Sequence, residues 1–136
     1  MRENVLPERT LSDINNICEI VVDEYFLRLN DGNFAAVAEL FSVKGLLCPP
    51  LGKAVCGREA IARYLQAEAK GMESFPRSRI VRNSSNGDAI YQIEGCVETS
   101  FFTVNVSWSI HLNAQKEITL LEVKLLNKLE DLVAFR

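Results

Sequence analysis

Histidine is nearly absent from this chain, with His111 alone among 136 residues. The four cysteines, Cys18, Cys48, Cys56 and Cys96, never fall at C-x-x-C spacing. Together these shortages exclude the common zinc ligand sets, and no metal site is expected. A basic excess is missing too. The formal net charge is −3, which leaves no electrostatic footprint for nucleic acid. No apolar run reaches the length of a bilayer span. The opening stretch MRENVLPERT lacks the apolar core of a secretory signal. A cytoplasmic, reducing setting is expected, with the cysteines as free thiols; an exposed one is available for a bridge between subunits. The length is that of one domain, residues 1–136, able to bury a core without staples.

What is present starts with helical periodicity. Thr10-Leu11-Ser12-Asp13 resembles a capping box. Ile14, Ile17, Cys18, Val21, Val22, Tyr25, Phe26 and Leu29 then recur at the three- and four-residue spacing of an amphipathic helix. Asn30-Asp31-Gly32 breaks it, because glycine takes positive φ at no steric cost. Asn33 stands where an N-cap belongs. A second helix is predicted from about Phe34 to Phe41. Gly45 to Cys48 is a short strand candidate ended by Pro49-Pro50. A third helix is predicted from Gly57 to about Lys70, with Ile61, Tyr64 and Leu65 inward. Gly71 ends it and Pro76 forbids continuation.

Later residues alternate. From Ile90 to Thr99, Tyr91, Ile93, Val97 and Thr99 share one face, opposite Gln92, Glu94, Cys96 and Glu98. From Val104 to Leu112, Val104, Val106, Trp108, Ile110 and Leu112 are set against Asn105, Ser107, Ser109 and His111. Ile118 to Leu126 returns as another strand, and Lys128 to Arg136 reads as a short helical tail. Helices first and strands later predict an α+β domain, with helices packed on one face of a curved antiparallel sheet.

The Tyr-x-x-x-Leu-Asn-x-Gly-x-Phe hairpin and the helix start Val55-Cys56-Gly57-Arg58-Glu59 resemble the nuclear transport factor 2-like superfamily. That likeness implies a cone of one bent sheet and three N-terminal helices around a pocket. A narrower resemblance runs from about Asn15 to Arg136. It rests on YFLRLNDGNFAAVAELF, CPPLGKAVCGREAI, FFTVNVSWSIHLN and LLNKLEDLVAFR. These segments look like the C-terminal domains of the cyanobacterial orange carotenoid protein family. The likeness implies a non-enzymatic carrier of a ketocarotenoid (canthaxanthin, echinenone or similar). Such a carrier delivers or accepts pigment and quenches singlet oxygen in photoprotection. Tyr25 and Trp108 match the tyrosine and tryptophan that hydrogen-bond the carotenoid keto oxygen in the family. Leu29, Ala69, Met72, Thr99, Val123 and Leu125 match positions lining the polyene. Ser74 stands where a larger apolar residue is expected. Implied partners are a second copy sharing one carotenoid, helical N-terminal-domain homologues, and a membrane touched transiently during loading.

Residue chemistry agrees. Trp108 lies on an apolar strand face, its indole N–H is donor only, and a phenol O–H can donate. Two such donors in one pocket suit a carbonyl oxygen. The alternative is a ketosteroid-isomerase-like or dehydratase-like enzyme on a small cyclic ketone. It needs a base, for which only His111, Glu68 or Asp88 qualify. The isomerases' general-base aspartate falls near Cys48, and a buried thiol stays protonated. No catalytic residue is therefore expected. A xanthophyll is about as long as the ~30 Å hydrocarbon core of a bilayer. One small domain leaves half of it outside, so Phe102, with Phe101, is expected to close the mouth.

Overall fold

A computed structural model describes residues 17–126. The candidate capping box, Ile14 and the tail from Lys128 lie outside the described residues. Helix α1 (residues 17–30) buries Cys18, Val22, Tyr25 and Phe26, with Val21 and Leu29 half-buried, as its spacing requires. Its end is a Schellman closure. Gly32 stands at φ +76°, Asn33 N–H donates to Arg28 O at 3.0 Å, and Gly32 N–H donates to Leu29 O at 3.0 Å. Asn33 then caps helix α2 (Phe34–Ala38), its side chain accepting from Ala36 N–H. Arg28 spans the break, donating to Glu24 Oε1 and to Ala36 O, both at 2.8 Å.

Strand β1 (Phe41–Cys48) follows, then the short β2 (Val55–Cys56) and helix α3 (Arg58–Glu68). The second helix therefore stops short of Phe41. That residue is buried as expected, but it opens a strand. Ile61 and Leu65 turn inward from α3, and Tyr64 is half-buried. A four-strand meander completes the chain: β3 (Glu73–Asn83), β4 (Ala89–Glu98), β5 (Thr103–Leu112) and β6 (Ile118–Leu125).

The six strands form one sheet in the order β2-β1-β6-β5-β4-β3. It is a mixed sheet, which corrects the antiparallel expectation: β1 runs parallel to β6, and the other neighbours are antiparallel. Parallel pairing is available because the whole of α3 and the meander separates the two strands, far more than a crossover requires. Strand β3 was not anticipated. Pro76 reads as a breaker, yet it is tolerated at the sheet edge, where the β3–β4 register shifts between Pro76 and Ser78. Gly95 faces that irregularity, and a Cβ there would collide with the Phe75 carbonyl.

One sheet face is covered by the helices. Its rows run Leu47–Leu121–Ile110–Tyr91 and Val123–Trp108–Ile93–Arg79. Leu47, Leu121, Ile110, Tyr91, Trp108 and Ile93 are all buried. The other face carries Gln92, Glu94, Ser107, Ser109 and His111. Cys96 belongs to this polar face and is a buried free thiol, with an Arg77 Nη2 donor 3.5 Å from its sulfur.

Candidate functional site

Tyr25 and Trp108 reach the core from opposite layers. Tyr25 comes from α1, about two turns before the Gly32 break, and is 2% exposed. Trp108 comes from the middle of β5, held between Ile93 and Val123, and is 1% exposed. Phe26 joins them. Its ring stands edge-on to Tyr25 at 5.0 Å and edge-on to Trp108 at 4.9 Å between centroids. Burial pushes the Tyr25 phenol far above its ordinary value, so the hydroxyl keeps its proton. Each tip carries a polar hydrogen of the kind a carbonyl oxygen accepts, and among the described residues no buried side-chain nitrogen or oxygen lacks a hydrogen-bond partner.

The openings lie beside this pair rather than around it. A groove of about 370 Å³ runs between α1, α2 and the start of β3, lined by Leu29, Asn30, Phe34, Ala69 and Met72 among others. A second, of about 260 Å³, lies where Met72 meets the β4–β5 turn at Thr99, Phe101 and Phe102. Gly71 and Met72 border both. Of the residues expected to line a polyene, Leu29, Ala69, Met72, Thr99 and Phe102 thus border two adjoining grooves. Val123 is half-buried beside Trp108, and Leu125 is exposed at the end of β6.

Two polar features were missed in the sequence. Asn30 clamps the edge strand to α1: its amide donates to Ser74 O at 2.9 Å and accepts from Ser74 N–H at 2.7 Å. Ser74 is buried there, so its value to the fold is its backbone and small size. Arg79 pairs with Glu19 and Asp23 of α1 beside the buried Tyr91. Both depend on partners in strand β3, which the sequence pattern did not announce.

The base candidates stand elsewhere. His111 pairs with Ile90 on the polar face, its Nε2 3.3 Å from Ser109 Oγ. Glu68 is exposed at the end of α3, and Asp88 sits in the β3–β4 turn. Cys48 pairs with Glu122 on the polar face. Among the described residues no group of three or more His, Cys, Asp or Glu side chains is placed to hold a metal.

This constellation sits in a nuclear transport factor 2-like fold. An NTF2-like protein from Novosphingobium aromaticivorans superposes with a TM-score of 0.75 at 15% identity, over 98% of this chain and 96% of that one. The canthaxanthin-binding orange carotenoid protein of Anabaena superposes equally well. Its TM-score is 0.75 at 26% identity, covering 84% of this chain and 38% of that one. In sequence, the chain is 26% identical over 131 residues to the orange carotenoid-binding protein of Synechocystis. The chain is thus a homologue of orange carotenoid-binding proteins, and the match agrees with a likeness to their C-terminal domain. It spans about two-fifths of the length of these curated relatives (41% of the Synechocystis protein). No protein-family model matches it.

Proposed function

We propose that this chain is a non-enzymatic carotenoid carrier, and that Tyr25 and Trp108 hold the keto oxygen of a ketocarotenoid ring. The observation that carries this reading is the pair itself: a phenol and an indole N–H that reach the core from opposite layers, joined by the ring of Phe26. The grooves at Leu29, Ala69, Met72, Thr99 and Phe102 give the polyene its exit, with Val123 and Leu125 beside its path. The core is closed around the pair, so loading requires the α1 side to part from the sheet. The emergent half of the pigment is apolar, and water disfavours it. A second copy covers it in the holo state, or a helical partner does during transfer. The carried pigment quenches singlet oxygen in a cyanobacterial cytoplasm.

The test is a visible spectrum of the protein expressed in a canthaxanthin-producing host. Hydrogen bonds to the keto oxygen stabilise negative charge there, so a red-shifted band is expected. A colourless protein from pigment-rich cells counts against the reading and directs the search to isomerase activity on small cyclic ketones.

A further inference from the structure

The most exposed large apolar side chain among the described residues is Phe101, at 91%, and its neighbour Phe102 is 59% exposed. They form the tip of the β4–β5 hairpin, a turn whose last strand pair is Glu98 and Thr103. We propose that this tip inserts into the surface of an electrically neutral lipid bilayer.

Three observations select lipid as the occupant. First, the tip meets part of its own backbone demand. Thr99 Oγ1 accepts from the N–H groups of Phe101 and Phe102, each at 3.1 Å. The Thr99 hydroxyl and N–H both donate to Phe102 O, at 3.0 and 2.8 Å. Lipid demands that backbone polar groups be met internally, whereas a protein partner or water would supply them. Second, Thr99-Ser100-Phe101-Phe102-Thr103-Val104 carries no charge. Glu98 stands at its base opposite Glu73, while Lys70 borders the groove beside the two phenylalanines. The lysine can lay its stem along that groove and reach a headgroup phosphate. The facing carboxylates give no preference for anionic lipid. Third, the tip is too small for a second copy. Two aromatic rings bury about 150–250 Å² each, short of the roughly 800 Å² per partner of a stable protein interface.

The groove beside the tip continues through Met72 and Gly71 to the one below Leu29. A docked tip therefore places that path against the acyl region. This purpose rests on the carrier reading; the insertion itself does not need it.

The experiment is flotation of the pigment-free full chain with phosphatidylcholine vesicles. Wild type should rise with the vesicles. Phe101→Ser should lower the partition about tenfold or more, from the transfer energy of one ring. A Phe101→Ser/Phe102→Ser variant should leave none bound. Ile80→Ser removes a comparably exposed apolar group on β3 and should change nothing. In a Phe101→Trp variant, vesicles should shift the emission to the blue, and lipids brominated on the acyl chain should quench it. Wild type that stays with the lipid-free fractions overturns the proposal. So does equal loss in Ile80→Ser, or a blue shift that grows with protein concentration alone. If detergent-dispersed canthaxanthin leaves the protein colourless while flotation persists, the carrier reading fails and the docking tip stands.

Discussion

At the scale of the residue, the donor pair makes the sharpest prediction. Trp108→Phe keeps an aromatic ring but removes the N–H together with part of the buried indole. One neutral hydrogen bond contributes about 0.5–1.5 kcal/mol, so canthaxanthin should bind roughly 2- to 12-fold more weakly. Part of the red shift should vanish, read in the visible spectrum. The tyrosines supply a pH prediction. Burial raises Tyr25; burial, then the hydrogen bond and charge of Glu19, raise Tyr91; burial, then Glu68, raise Tyr64. Each holds its proton more tightly folded than unfolded, where a phenol titrates near pH 10. Their stabilisation is complete below about pH 10. It is lost as pH rises from there through the folded-state values, because the unfolded chain gives up protons first. Urea unfolding at stepped alkaline pH should show that decline, shallower in Tyr25→Phe. Phenolate absorbance appearing at pH 10 in a chain still folded would contradict it.

At the scale of the element, the clamp between α1 and β3 is the exposed weakness. Asn30→Ala removes both bonds to Ser74 and leaves a buried N–H without its partner. A loss of about 1–3 kcal/mol is expected by chemical denaturation. Gly95→Ala should be worse, because its Cβ meets the backbone of Phe75 and Pro76, which cannot step aside as a side chain would. Circular dichroism should show a thermal transition well below wild type, or none. These same residues mark where sequence reading ended. The break at Gly32, the cap at Asn33, and β5 with Trp108 inward were legible, since each depends on local chemistry or a clean period of two. Strand β3 was not, because Pro76 and the run Ser78-Arg79 look like loop without knowledge of an edge. The parallel β1–β6 pairing joins residues distant in sequence, and no local pattern announces it. For the site, residue types were readable, while the ring of Phe26 between the two donors was not.

At the scale of the whole molecule, the proposed carrier role couples pigment to assembly. A pigment-loaded form should elute as a dimer during size exclusion, because the emergent polyene needs cover; a loaded monomer would remove the shared-pigment reading. The described helices include none long and apolar enough to cross a membrane.

The sheet order carries one more consequence, for how the chain comes to be folded. Strands β3 to β6 are sequential antiparallel neighbours, so each pairs with the strand just made. Strand β1 leaves the ribosome early and finds its parallel partner only when β6 emerges. Closing that long loop is the slow, entropy-limited event. Until then Leu47 and Phe41 have no sheet to cover them. Core truncations within β4 and β5 should therefore slow refolding. Leu47→Ala should slow refolding as well, since it weakens the β1–β6 pairing whose closure limits the rate.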